Sequence, residues 1–119
     1  MRLHEVMTIT SARCLTANTD LNREVVAGFA SDLMSDALRY ELGQSLLVTG
    51  LSNMQVVRTA EMADVHAILL VRSKTPPPET LELAREVGIL MLTADMTMFE
   101  ACARLYLGGL PPCRRRNGD

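Results

Sequence analysis

The 119-residue chain has no tryptophan and only two tyrosines and two phenylalanines. Single-stranded nucleic acids are held by aromatic stacking beside cations, and the one basic run, Arg114-Arg115-Arg116, has no aromatic neighbour. A net charge of −2 gives no general attraction to phosphate backbones either, so nucleic-acid binding is not expected. No apolar run approaches the roughly 18 residues of a membrane span, and no membrane contact is expected. Met1-Arg2-Leu3-His4-Glu5 lacks the charged-then-apolar layout of a secretion signal. The three cysteines, Cys14, Cys102 and Cys113, form no C-x-x-C pair, which excludes the usual zinc and redox-dithiol spacings. Cys14 and Cys102 are expected as small buried hydrophobes in a reducing cytoplasm.

Catalytic signatures are missing too. There is no G-x-x-x-x-G-K-[ST] to cradle a transferred phosphoryl group and no G-x-G-x-x-G after a strand. His4 and His66 are far apart and carry no metal-ligand spacing, so neither a metal nor a cofactor is expected. Asp32 and Asp36 stand one helical turn apart, the spacing of an acid/base pair, but without a third ligand or a histidine nearby a cap beside a solvated carboxylate is the better explanation. Ser31, His66 and Asp95 supply the residue types of a triad without local spacing to support one. The expectation is a non-enzyme. The alternative is a small transferase or hydrolase using Asp32, Asp36 or His66.

What is present is a core. Hydrophobic residues make up 48% and charged residues 22%, enough for one domain of common size. Eight methionines point to adaptable packing rather than a cofactor pocket. Short apolar runs alternate with helical patterns. Residues 25–29, 45–49, 66–71 and 89–93 read as strands, and residues 33–42, 54–63, 79–87 and 97–107 as the helices that follow them. The run at 66–71 has no polar alternation, as in a strand covered on both faces of a parallel sheet. A short helix over 3–9 and a short, antiparallel edge strand over 13–16 precede these units. The expected fold is α/β: a single domain over 1–110, mainly parallel sheet, helices on both faces, with a disordered tail over 111–119.

The helix starts share one chemistry. Ser31 or Asp32, Ser52 and Thr97 are cap residues, the last two in capping-box spacing with Gln55 and Glu100. Pro78 presets the first turn of the third helix and Gly88 closes it. Because each start follows a strand's carboxyl end, these residues are expected along one rim of the sheet. Gly28, Ser31, Asp32, Thr49, Gly50, Ser52, Asn53, Arg72 and Thr93 form the candidate ligand site, with Ser73 and Lys74, the only lysine, beside it. Helix N-termini flanked by cations favour a small anion, such as a nucleotide or another phosphate-bearing molecule.

The last helix carries two apolar stripes, Phe99, Cys102, Ala103 and Tyr106, and Met98, Ala101 and Leu105. A helix apolar over most of its girth must be covered twice. A homodimer is expected, with Met98, Ala101 and Leu105 as candidate interface residues; the competing cover is the N-terminal segment.

Three blocks also resemble the DRTGG domain family, in the family's order and over about residues 3–110. They are residues 28–36 (Gly28-Phe29-Ala30-Ser31-Asp32-Leu33-Met34-Ser35-Asp36), residues 47–60 around Thr49-Gly50-Leu51-Ser52-Asn53, and residues 97–102 (Thr97-Met98-Phe99-Glu100-Ala101-Cys102). Asn53-Met54-Gln55 stands where Asn-Pro-Gln is usual in the family, and Asn22-Arg23 where Asp-Arg is typical. The resemblance implies a fold similar to the N-terminal domain of HPr serine kinase/phosphorylase. It also implies a regulatory or accessory module without catalytic residues of its own, such as those beside paired CBS domains in some pyrophosphatases, where the module lies at a dimer contact. A protein partner is implied by the same reading.

Overall fold

The computed structural model describes residues 1–16, 20–72 and 74–116. Ser73 and Asn117-Gly118-Asp119, named above, lie outside the described residues. Helix α1 (Leu3–Thr10) leads into β1 (Arg13–Cys14), and β2 (Gly28–Ala30) into a 3₁₀ helix, Met34–Arg39. Then follow β3 (Leu46–Thr49), α2 (Met54–Met62), β4 (Ala67–Leu70), α3 (Pro78–Val87), β5 (Leu90–Thr93) and α4 (Met98–Leu107). The sheet runs β1-β5-β4-β3-β2; β2 to β5 are parallel and β1 pairs antiparallel with β5. This is the expected α/β architecture.

Alternation along the strands divides the core into two layers. Leu46, Val48, Ala67, Leu69, Leu90 and Leu92 face one way and pack with Leu3, Val6, Ala101 and Leu105 of α1 and α4. Leu47, Ile68, Leu70 and Met91 face the other way and pack with Met34 and Ala37 of the 3₁₀ helix, Val56, Val57 and Ala60 of α2, and Leu83 and Ala84 of α3. The cause is the strand order: neighbours in sequence are neighbours in the sheet. Crossovers of one hand therefore stack every connecting helix on the same face. The opposite face falls to the two helices outside the crossovers. Every residue of β3, β4 and β5 is buried, and each Leu or Ile there contributes about 1.5–3 kcal/mol.

Several expectations are corrected. The first helix shrinks from 33–42 to six residues of 3₁₀ helix. Its only buried side chains are Met34 and Ala37, three apart, and three residues per turn brings just those onto one line. Val25 is buried but precedes the strand, which begins at Gly28. Cys14, Cys102 and Cys113 are all half-buried. Ala101 and Leu105, offered as interface, are 0% and 3% exposed because they face the sheet beside α1, and Met98 packs against the same layer. The N-terminal helix covers that stripe.

The tail expectation is corrected for residues 111–116. Gly28 N–H donates to Pro111 O (2.8 Å), and Gly28 O accepts from Cys113 N–H (2.9 Å). Beyond this parallel contact, Glu41 N–H donates to Arg114 O and Arg116 N–H to Arg39 O. The strap closes the outer edge of β2. Its two prolines are compatible with that place, since an edge partner needs few of its own N–H groups.

Candidate functional site

The carboxyl ends of the parallel strands gather Ser31, Asp32, Thr49, Gly50 and Thr93 on one rim, where Thr49, Leu70 and Thr93 form the last paired row. Thr49 is fully buried and donates to Asp32 Oδ1 (2.9 Å), while Gly50 N–H donates to the same oxygen (2.7 Å). Thr49 Oγ1 in turn accepts from Leu51 N–H (3.1 Å). Asp32 therefore clamps the exits of β2 and β3 together rather than capping a helix. These bonds hold its carboxyl below the ordinary carboxylate range, the Gly50 N–H most strongly; partial burial opposes, and the Thr49 hydroxyl and the charges of Arg72 and Lys74 add.

Arg72 leaves β4 with a left-handed φ of 60°, and its N–H donates to Met96 O (2.8 Å). Its guanidinium lies over Gly50 so closely that a Cβ there would overlap Nη2 and stand 3.1 Å from Cζ. Only a glycine leaves this space. The same Cβ would be 3.4 Å from Asp32 Oδ2, so the acid and the cation both lie against this glycine. A left-handed arginine costs about 1–2 kcal/mol, and the turn supports it through the Met96 carbonyl. Thr93 is nearly buried at the same rim, and its hydroxyl donates to Lys74 O (3.2 Å).

Helix α2 begins beside Gly50. Its cap is Asn53, whose Oδ1 accepts from Val56 N–H (3.2 Å); this replaces the expected Ser52. Ser31 does not cap a helix either. Its hydroxyl accepts from Leu33 N–H (2.9 Å) and lies 3.2 Å from Leu33 O and 3.4 Å from Asp36 Oδ2. Thr97 caps α4 as expected, accepting from Glu100 N–H (3.2 Å), while the Glu100 carboxylate pairs with Arg104 at 2.7 Å.

Two candidates lie elsewhere. Gly28 pairs with Leu46 at the amino end of the strands, and a Cβ there would come within 3.0 Å of Leu110 Cδ2. His66 also precedes its strand, and its Nδ1 contacts Glu24 O (2.7 Å) at the opposite rim. It is separated from Asp32 and Asp36 by the length of β4, and from Asp95, which follows β5. His66 therefore does not converge with Asp32 and Asp36, nor with Ser31 and Asp95. Among the described residues, no three His, Cys, Asp or Glu side chains gather where a metal could bind.

Sequence reasoning missed the Asp32 clamp and the Arg72–Gly50 contact. The one available signal was a glycine placed directly after a strand, which read as a turn. The strap against Gly28 left no side-chain pattern at all.

The fold is similar to that of a solved structure, the CBS and DRTGG domains of the regulatory region of Clostridium perfringens pyrophosphatase complexed with the activator diadenosine tetraphosphate. The TM-score is 0.73 at 19% sequence identity, with 98% of this chain and 51% of that chain covered. The chain thus spans about half the length of that relative. No family model and no curated protein matches the chain. The likeness is one of fold, and it agrees with the DRTGG-like architecture read from the sequence. No helix among the described residues is long and apolar enough to cross a membrane.

Proposed function

We propose that this chain is a non-catalytic regulatory or accessory module, homodimeric, that senses a small anionic ligand at the strand-end rim and relays its occupancy to a protein partner. The observation that carries the reading is Arg72, held in a strained backbone conformation with its guanidinium on Gly50, where the carboxylate of Asp32 also lies. A cation beside the start of α2 gives a phosphate-bearing group both a charge partner and helix N–H dipoles. Asp32 is the negative charge beside Arg72, so an arriving anion competes with its carboxylate for the cation. That exchange is a local electrostatic event able to move the β2 and β3 exits together, because Asp32 ties both. The solved relative was complexed with a nucleotide activator, which makes adenine nucleotides the first compounds to try.

Titration calorimetry with diadenosine tetraphosphate, adenine nucleotides and inorganic phosphate tests the ligand. Binding heat that disappears in Arg72→Gln is the expected result, and no heat with any compound overturns the sensing role. Light scattering tests the dimer separately: a monomer at tens of micromolar would remove it.

A further inference from the structure

The most exposed ring in the described structure is Phe99, 85% accessible near the start of α4; two turns along the same helix Tyr106 is 67% accessible. Beside Tyr106 lies an apolar groove of about 200 Å³, walled by Ala30, Val48, Cys102, Leu110 and Pro112. That volume is below the roughly 300–1,000 Å³ of small-molecule sites and suits one inserted side chain. Helix α4 therefore carries a protruding ring at one end of its outer face and a receiving groove at the other.

We propose that a second copy of this chain covers this face, the two α4 helices antiparallel about a twofold axis near Cys102 and Ala103, each copy seating its Phe99 in the other's groove beside Tyr106. The spacing supports a self-contact over any other occupant. Seven residues of helix place ring and groove about 10.5 Å apart, so one twofold axis between them satisfies both at once. A small ligand filling the groove would leave Phe99 in water. Charge supports the same register. Glu100 and Arg104 form a pair on one flank of the stripe, and an antiparallel copy brings Glu100 of each helix alongside Arg104 of the other. The two rings expose roughly 300 Å², short of the roughly 800 Å² per partner of a standard interface, so the contact extends over Leu107, which is 85% exposed, and the proline strap.

The inference rests on the homodimer reading and specifies its geometry, and two experiments separate the two. In sedimentation equilibrium of the full chain, Phe99→Glu is expected to raise the dimer dissociation constant about thirtyfold or more with an unchanged circular dichroism spectrum. A wild-type monomer at tens of micromolar overturns both the dimer and this contact. A wild-type dimer that Phe99→Glu leaves equally tight overturns only the contact. The second experiment mixes Glu100→Arg with Arg104→Glu. Each variant alone sets like charges across the twofold and is expected to dissociate, whereas the mixture restores two opposite-charge pairs and is expected to form a heterodimer. Loss of the pair within one helix cannot produce recovery on mixing, and a mixture that stays monomeric overturns the antiparallel register.

Discussion

The Arg72 guanidinium rests against Gly50, which the carboxylate of Asp32 also approaches. Gly50 is buried, and no left-handed φ requires glycine there; the side chain above it does. Gly50→Ala is therefore expected to swing the flexible arginine outward at little cost in stability. Calorimetry with the compound bound best by the wild type should show affinity falling about tenfold or more, while the thermal midpoint stays within a few degrees. An unchanged affinity would detach the ligand from this contact.

Asp32 makes a prediction about acid. Its carboxylate is stabilised in the folded state, above all by the Gly50 N–H, so its folded pKa is depressed. The stabilisation is complete above about pH 4, where the unfolded carboxyl is ionised, and is lost as pH falls through the folded value. Urea midpoints of Asp32→Asn should therefore decline less between pH 7 and pH 3 than those of the wild type. Parallel declines would deny the clamp its charge.

At the start of α2, Asn53 and Ser52 make a direct comparison. The bond to Val56 N–H belongs to Asn53, so Asn53→Ala should cost about 1 kcal/mol in urea denaturation. Ser52→Ala should be close to neutral. The reverse order would restore the cap that the spacing of Ser52 and Gln55 suggested.

Ending the chain at Leu110 strips the outer edge of β2. The thermal midpoint should drop by roughly 5 °C or more, and light scattering should report association through the bared edge. A shortened chain that melts and scatters like the wild type would make the strap an idle passenger.

How much of this was legible in the sequence depends on what kind of contact holds each part. The run from Ala67 to Leu70 announced itself because burial on both faces leaves an unbroken apolar string. Gly88 likewise marked the end of α3, where φ is 77°. The 3₁₀ helix did not, since Leu33 and Leu38 are apolar yet exposed and lengthened the apparent pattern. On α4 the pattern showed two stripes but could not say which one faced the sheet; α1 and β3 decide that, and Ala101 and Leu105 go inside. The rim residues Ser31, Asp32, Thr49 and Gly50 were placed together by connectivity alone. Their bonding was not, because Asp32 reaches across strands to Gly50 through backbone geometry that no local spacing encodes. The strap escaped for a related reason: main-chain pairing with Gly28 leaves no trace in side-chain periodicity.

The unbranched march of the parallel strands leaves two seams, and distant stretches of chain sew them. Residues 13–14 wait beside an empty place until β5 has been synthesised, whereas β2, the first parallel strand made, keeps a naked flank until residues 111–116 emerge. A nascent chain is thus open on both sides of the sheet until those later residues arrive, and the second seam is stitched by a segment whose sequence resembles a loose end.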